Sequence, residues 1–462
     1  MLLHFLFYLL LAANLINLIH LGFYINGSNI YDIKKFLKEN KNIKKSEDKT
    51  FSPLVSVVIP AHNEAQVIQR TLDSVWASSY SNIEVIVIDD GSTDNTVKIV
   101  RDHISKLPST TTKTYFGRTS SHFFIRRDQY ESKQSIVRRF LRVPNKKIRT
   151  FSVIQSNGGK ASAMNNAIAN HVSGEFVMCL DADSILDRYA IERAMVYFQD
   201  KKIIGVAANV RVMESKKLII IAQRFEHMIG YRSKKFYSIT NSEFIIGGVA
   251  STYRVNALKG VNLYDTDTLT EDIGLSLKLI SKVGNKNKRI IYADDVVAYT
   301  EGVQTFKALL TQRYRWKMGS LQNIYKYKHL IGRGQNKKHS HMLTKYRLPM
   351  AIISEIMLIF EPLLLFYIIY ISISHKTLAV VLGAYLTITL YVLWNIWPDE
   401  HLNIRQKIKM SLLGLFIYGL FFIIDVVQIA AIFKCLWNFN RVTKRTSGET
   451  WISPARLGQS SS

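Results

Sequence analysis

Hydrophobic and polar positions divide the chain into three zones. Residues 2–25, LLHFLFYLLLAANLINLIHLGFYI, hold no Lys, Arg, Asp or Glu. At about 1.5 Å per residue, a helix of that length crosses a bilayer core of about 30 Å. The alternative, a cleaved signal peptide, needs a basic start and a small-residue cleavage site, and this segment has neither. Three further apolar blocks, about 348–373, 378–397 and 410–434, cluster near the other end, and each is long enough to cross. The middle zone has a different rhythm. LVSVVIP (54–60), IEVIVI (83–88) and residues 176–180 are short β-branched runs, the pattern of strands buried on both faces of a parallel sheet. Between the first two, Val67, Ile68, Leu72, Val75 and Trp76 recur at helical spacing, and GGKASAMNNAIANH is a second helix candidate. Alternating strand and helix predicts an α/β doubly wound sheet, whose ligands sit outside the carboxyl ends of the strands.

Charge changes the picture next. The 462 residues carry a net charge of +26 although 48% are hydrophobic. An acidic partner is implied, either nucleic acid or an anionic membrane face. The apolar zones select the membrane, and no nucleic-acid-binding module is present to support the other reading. Residues 34–49 hold seven lysines just after the first apolar run. The positive-inside rule therefore places the middle zone in the cytosol, where nucleotide-activated metabolites are available. The two cysteines, Cys179 and Cys435, suggest no bridge and cannot alone form a four-ligand zinc site. Charge also raises a conflict. The loop 398–409 (Arg405, Lys407, Lys409) and the tail 435–462 (Arg441, Lys444, Arg445, Arg456) both prefer the cytosol, yet one crossing separates them. A re-entrant segment resolves this, with Glu361-Pro362 as one candidate position.

Candidate chemistry falls where the sheet places it. AHNE follows the first strand, DDGSTDNT the second and DAD the third. Each has a plain structural reading, as a loop, an Asx or Thr helix cap, or a solvated turn. NGGKASAMNNA reads as a glycine-rich helix start that favours phosphate, without matching the P-loop pattern. QRYRWKMGS reads alone as an interfacial belt of aromatic and basic residues. Their occurrence together, in order, is the stronger signal.

VSVVIPAHNEA, VIVIDDGSTDNT, NGGKASAMNNAI, LDADS, LTEDIGLSLKL and QRYRW resemble the inverting, processive membrane glycosyltransferases. That family includes the cellulose, chitin, hyaluronan and poly-N-acetylglucosamine synthases. The resemblance covers about residues 52–322. It implies a GT-A catalytic domain, a Rossmann-like doubly wound sheet, joined to transmembrane α-helices, and a UDP-sugar donor. By similarity Glu64 and Asp90 lie in the uridine pocket with Asp89 nearby, and Lys160 faces the donor phosphates. Asp181 and Asp183 form the DxD pair, with Asp183 the metal ligand, and Asp272 of TED is the base. Gln312, Arg315 and Trp316 form QxxRW beside acceptor and diphosphate. Mg²⁺ or Mn²⁺ is the implied cofactor, since oxygen ligands favour hard cations and the departing diphosphate needs its charge neutralised. Inversion needs one base and no covalent sugar–enzyme intermediate, so one carboxylate suffices.

The stretch DTDTLTEDIGLSLKL and the tail TKRTSGETWISPARLG look most like the poly-N-acetylglucosamine synthases. The expected function is transfer of N-acetylglucosamine from UDP-N-acetylglucosamine to a β-linked exopolysaccharide, with export of the chain. The alternative is single-sugar addition to a lipid acceptor. A non-enzymatic nucleotide sensor is disfavoured because DAD, TED and QRYRW are intact. Membrane lipids and a small membrane accessory subunit are the remaining expected partners. A bacterial plasma membrane, with the protein multi-pass, is the expected location. The implied division is a transmembrane helix at 1–26, a basic linker at 27–51 and the GT-A domain at 52–325, with a basic insertion at about 103–151. An interfacial segment follows at 326–347, then a transmembrane region of about three helices at 348–435 and a basic tail at 436–462. Within the insertion, SKQSIVRRFLRV sets Ile136, Val137, Phe140 and Leu141 against Arg138, Arg139 and Arg142, as either an amphipathic lipid-binding helix or a solvated loop. GGVASTYR, and Lys317 and Met318 in RWKMG, depart from the family pattern and leave sugar and processivity open.

Overall fold

The computed structural model describes residues 2–44, 51–105, 111–116, 121–127, 147–335, 337–374, 376 and 378–443. SKQSIVRRFLRV and the tail from 444 lie outside the described residues. In chain order the elements begin α1 (Leu2–Lys44), β1 (Val55–Ala61), α2 (Ile68–Trp76), β2 (Asn82–Asp90), α3 (Thr96–Ser105), β3 (Thr111–Phe116), β4 (Ser121–Arg127) and β5 (Lys147–Gln155). They continue α4 (Lys160–Asn170), β6 (Phe176–Cys179), β7 (Ile185–Leu186), α5 (Ala190–Phe198), β8 (Ile203–Val212), α6 (Leu218–Ile239), β9 (Ser251–Arg254) and α7 (Val255–Lys259). The last are α8 (Glu271–Val283), β10 (Arg289–Thr300), α9 (Phe306–Lys326), α10 (Leu348–Ser374), α11 (Ala379–Ile396), α12 (Ile404–Gly414), α13 (Ile417–Trp437) and α14 (Asn440–Thr443).

The apolar runs become the centre of one sheet with strand order β3-β4-β5-β2-β1-β6-β9-β8-β10-β7. Strands β5, β2, β1 and β6 are parallel. Their side chains alternate between two cores. Val55, Val57 and Ile59, with Ile83, Val85, Val87, Phe176 and Met178, pack against α2 and α5. Val58, Ile86, Ile88, Val177 and Cys179 pack against α4 and α8. Each such side chain contributes roughly 1.5–3 kcal/mol through burial, so both faces must be covered, and the continuous apolar runs are the result.

The sheet is mixed rather than parallel throughout. β9 runs antiparallel to both of its neighbours, β6 and β8. Its residues Ser251 and Thr252 are polar by composition yet buried, and β-branched apolar runs do not announce such a strand. Since β9 is reversed against both neighbours, β6 and β8 run the same way, and β9 is a single reversed strand between two parallel groups, β5-β2-β1-β6 and β8-β10.

Outside the sheet, α1 continues as helix through residues 27–44, the stretch expected to begin a linker. There it docks on the domain. Lys35 pairs with Asp294 at 2.8 Å, Tyr31 donates to the Tyr292 carbonyl at 3.1 Å, and Asp32 pairs with Lys235 at 2.5 Å. Among the described residues two helical stretches are long and apolar enough to cross a membrane, Met342–Ser374 and Gly419–Trp437, and Val381–Ile396 is a shorter apolar helix. The block expected at 410–434 is split between α12 and α13. The basic loop before α12 is tied to the domain that holds the sheet. Asp399 accepts both amino groups of Arg211, at 2.7 and 3.1 Å, and Lys409 pairs with Glu214 at 2.6 Å. Beyond α13, the Arg441 carbonyl accepts from Gln322 of α9 at 3.0 Å.

Candidate active site

The strand ends hold three loops in register because polar side chains of one loop bond the backbone of another. Asn63, at φ 56°, accepts from the Thr93 N–H at 2.8 Å and donates its own N–H to Ser92 at 2.9 Å. This stitches AHNE to DDGSTDNT. Asp90 stitches the second loop to the glycine pair. Its Oδ1 accepts from Gly158 N at 2.9 Å and Gln155 Nε2 at 2.7 Å, and its Oδ2 accepts from Gly159 N at 2.8 Å. Gly159 has φ +85°, a conformation that a residue bearing a Cβ rarely adopts. Asp90, fully buried, thus fixes the start of α4.

Asp89 is different. Its Oδ2 accepts from Ser92 N at 3.1 Å, while its Oδ1 is buried without a hydrogen-bond partner. Burial raises its pKa, against the hydrogen bonds from Ser92 and the nearby His62. A buried acceptor of this kind is ready for a donor supplied by a ligand. Glu64 is buried at the mouth of the same crevice, and its N–H donates to Thr96 at 2.8 Å.

Lys160, first residue of α4, points across the sheet. Its Nζ lies 2.7 Å from Asp181 Oδ1 and 3.3 Å from Glu271 Oε1. Burial opposes its charge, but Asp181, Glu271 and Asp272 together outweigh that and raise its pKa. The meeting point is marked by a missing side chain. A Cβ on Gly248 would stand 2.8 Å from Lys160 Nζ, 3.6 Å from Asp181 Oδ1 and 3.9 Å from Asp272 Oδ2. One cation and three carboxylates thus surround the floor formed by Gly248. Burial pushes Asp272 up to about 6, Glu271 adds to the rise, and Lys160 opposes it. Asp272 Oδ1 accepts from the Ile273 N–H at 2.8 Å, so this carboxylate does partly cap α8.

Asp183 lies nearly buried at the other end of DAD, where Ser184 Oγ donates to its Oδ1 at 3.1 Å. No group of three His, Cys, Asp or Glu side chains suited to a metal is found among the described residues. The chemistry of the donor set still fits Mg²⁺ or Mn²⁺. Two carboxylates on one turn supply hard oxygen ligands, and such ions normally complete their shell with substrate phosphate and water.

Gln312, Arg315 and Trp316 lie on α9. At 3.6 residues per turn they share a stripe with Gly319 and Asn323. That stripe abuts the start of α8. Asn323 Nδ2 donates to the Thr270 carbonyl at 2.9 Å, and a Cβ on Gly319 would meet Thr270 Oγ1 at 2.5 Å. QxxRW is thus positioned beside TED through the backbone, while no hydrogen bond among the described residues joins its three side chains to the carboxylates. Two basic residues that flank them, Arg313 and Lys317, serve as ties. Arg313 pairs with Glu226 of α6 at 2.6 Å and covers the Trp316 ring at 4.4 Å. Lys317 pairs with Glu355 of α10 at 2.5 Å, which accounts for a lysine at this position.

The sequence reading did not single out Glu271, Gly248 or Asn63. Glu271 sits inside the quoted TED, and GGVASTYR was noted only as a departure. The positive φ of Asn63 has no sequence signal beyond its residue type.

Residues 56–114 match the family described as glycosyl transferase family 2, and residues 129–319 match glycosyltransferase like family 2. Two stretches of the chain, which include most of the strands of the sheet, are thus similar to family 2 glycosyltransferases. Among curated relatives, the poly-beta-1,6-N-acetyl-D-glucosamine synthase of Staphylococcus epidermidis is 28% identical over 303 residues, covering 64% of this chain and 62% of that protein. Its counterpart from Staphylococcus aureus (strain COL) is also 28% identical, over 64% of this chain and 60% of that protein. The chain thus spans less than two thirds of the length of these relatives. Among solved structures, the mannosyltransferase PcManGT from Pyrobaculum calidifontis, in complex with GDP-Man and Mn²⁺, is 18% identical with a TM-score of 0.47, covering 91% of this chain and 99% of that one. Residues 1–349 of S. aureus TarS, in complex with UDP-GlcNAc, are 13% identical with a TM-score of 0.36, covering 66% of this chain and 86% of that one.

Proposed function

We propose that this glycosyltransferase moves N-acetylglucosamine from UDP-N-acetylglucosamine to a growing β-linked polysaccharide, with inversion, on the cytoplasmic side of a membrane. The observation that carries the reading is the convergence of Lys160, Asp181 and Asp272 on Gly248. The curated relatives supply the sugar and the polymer.

Each residue has a task in this reading. Asp89 accepts from the base of the nucleotide, and Asp90 holds the loop that shapes the pocket beside Glu64. Lys160 balances diphosphate charge. Asp181 and Asp183 hold Mg²⁺ or Mn²⁺, which when bound neutralises charge on the diphosphate. Asp272 takes the proton of the acceptor hydroxyl as that oxygen attacks the anomeric carbon. The bond from that carbon to the diphosphate breaks on the opposite face, and its electron pair leaves with UDP. A base of pKa about 6 is mostly ionised at neutral pH and still accepts a proton readily. Arg315 offers a planar fork to phosphate oxygens, and Trp316 an apolar face to a sugar ring. The first part of α1 together with α10, α11 and α13 lies in the membrane and carries the product outward.

The test is a panel of UDP-sugars offered to membranes containing the protein, followed by digestion of the product with linkage-specific glycosidases. The expected result is a long polymer from UDP-N-acetylglucosamine alone, cut by an enzyme specific for the β-1,6 linkage. A product that extracts with lipid and carries one sugar overturns the polymer reading. Incorporation from another donor overturns the sugar.

A further inference from the structure

The carbonyls of the DAD turn are gripped from behind. Thr71 Oγ1 of α2 donates to the Ala182 carbonyl at 2.7 Å, and Arg70 Nη2 donates to the Asp183 carbonyl at 3.0 Å. The other amino group of Arg70, Nη1, pairs with Glu301 Oε1 at 2.8 Å, with the two side chains only 18% and 4% exposed. Three residues beyond Asp183, the Leu186 N–H donates to Ser74 Oγ at 3.0 Å, so one side of α2 holds the whole turn.

Glu301 is where two parts of the site join. β7 pairs antiparallel with β10, Ile185 opposite Tyr299 and Leu186 opposite Ala298. The same register, continued by two residues, sets Asp183 across from Glu301. Glu301 also opens the short segment that leads to α9. Gln223 holds that segment at Val303 with bonds of 2.8 and 3.0 Å, and Thr305 caps α9 by accepting from the Ala308 N–H. A planar guanidinium serving Asp183 with one amino group and Glu301 with the other therefore links the DAD turn to the entry of the QxxRW helix. A lysine cannot reproduce that fork. Buried ion pairs are a weak source of net stability, so the value of this one is geometric.

We propose that Arg70 and Glu301 are positioning residues, a strut that sets the Asp183 carboxylate for metal and holds it at a fixed distance from the QxxRW helix. The inference rests on the reading of Asp183 as a metal carboxylate. It acts through the backbone at Asp183, so neither strut residue touches the substrate.

The experiment uses the full chain in lipid nanodiscs, with Arg70→Lys, Glu301→Gln and Thr71→Val beside the parent. Mn²⁺ binding in the presence of UDP is followed by electron paramagnetic resonance, metal-free UDP binding by calorimetry, and transfer as a function of Mn²⁺ concentration. Arg70→Lys keeps the charge and is expected to fold. Both strut variants should lose about tenfold or more in UDP-dependent Mn²⁺ affinity, the scale seen when an outer partner of a metal ligand is removed. The half-saturating Mn²⁺ for transfer should rise in parallel, high Mn²⁺ should restore most of the rate, and metal-free UDP binding should stay at the parent value. Thr71→Val should show the same effect more weakly. A lowered melting temperature with parental Mn²⁺ affinity overturns the strut and leaves the pair a structural one. A parent that binds UDP with no response to Mn²⁺ overturns the metal reading itself, and the strut with it.

Discussion

Asp90 and Asp272, on opposite sides of β9, are treated in opposite ways. On the β5-β2-β1-β6 side, Asp90 has both oxygens committed, to Gly158, Gly159 and Gln155. The loops there are bonded to each other and have little left to rearrange. On the side entered through β9 and α8, Asp272 sits beside Glu271 with burial pushing it up to about 6. Asp90 is satisfied in advance and fixes the glycine loop, while its neighbour Asp89 keeps one oxygen buried without a hydrogen-bond partner. Asp272 is kept under electrostatic stress, and a group that must accept a proton needs that stress. Shape and reactivity are separated across one strand boundary.

Four measurements can break or sharpen this contrast, and the largest effect is expected at Asp272. Asp272→Asn should lower the transfer rate about 100-fold or more while UDP binding stays at the parent value. Turnover within a few-fold of the parent would leave Asp272 a helix cap. Asp183→Ala should come next, abolishing metal-dependent UDP binding in a protein that still melts cooperatively; unchanged metal-dependent binding rejects that ligand. Third, the transfer rate should rise through about pH 6 and then level, because the base acts in its ionised form. Stability should move the other way. The folded pKa of Asp272 lies above its ordinary 3.8, so its contribution is fully present below that value and is lost as pH rises through about 6. Asp272→Asn should therefore melt no lower than the parent at pH 7.5, and a clearly lower melting temperature there contradicts the stress. The smallest effect belongs to Thr305→Ala, which removes the α9 cap and should cost about 1 kcal/mol with kcat per folded molecule unchanged.

The β5-β2-β1-β6 side was far more legible in the sequence than the side entered through β9 and α8. Runs such as VSVVIP and IEVIVI are continuous because both faces are buried, and their strand ends carry recognisable clusters. Asp90 was read there as a pocket residue, whereas its carboxylate is spent on the glycine loop. β9 was invisible, since Ser251 and Thr252 look like loop residues until two neighbouring strands bury them. The partnership of Arg70 with Glu301 spans most of the catalytic domain in sequence and leaves no local pattern. Lys317 was an oddity until its carboxylate partner Glu355 came into view from α10. In each case the missing information is which distant segment comes alongside, and periodicity does not carry it.

Charge placement has a similar lesson at the other end of the chain. The loop before α12 and the residues after α13 both hold on to the catalytic domain, at Arg211 and Glu214 and at Gln322 respectively. Reporter fusions at 405 and 462 should therefore both read cytoplasmic. A reporter at 462 on the outer side would contradict the contact between Arg441 and α9.

The unbroken course of α1 governs how the domain stands. A domain hung from a flexible tether can swivel and present its mouth in any direction. Here one helix runs from Leu2 to Lys44, and it is clamped to the domain at Gly27, which seats directly against Phe236, and at Ser28, Tyr31, Asp32 and Lys35. Under the proposed insertion of residues 2–25 in a bilayer, this helix would act as a mast rather than a mooring line. The height and tilt of the crevice above the lipid are then set by helix geometry, at about 1.5 Å and 100° for each residue inserted or deleted near position 26. Adding one residue there would turn the whole domain by more than a quarter circle.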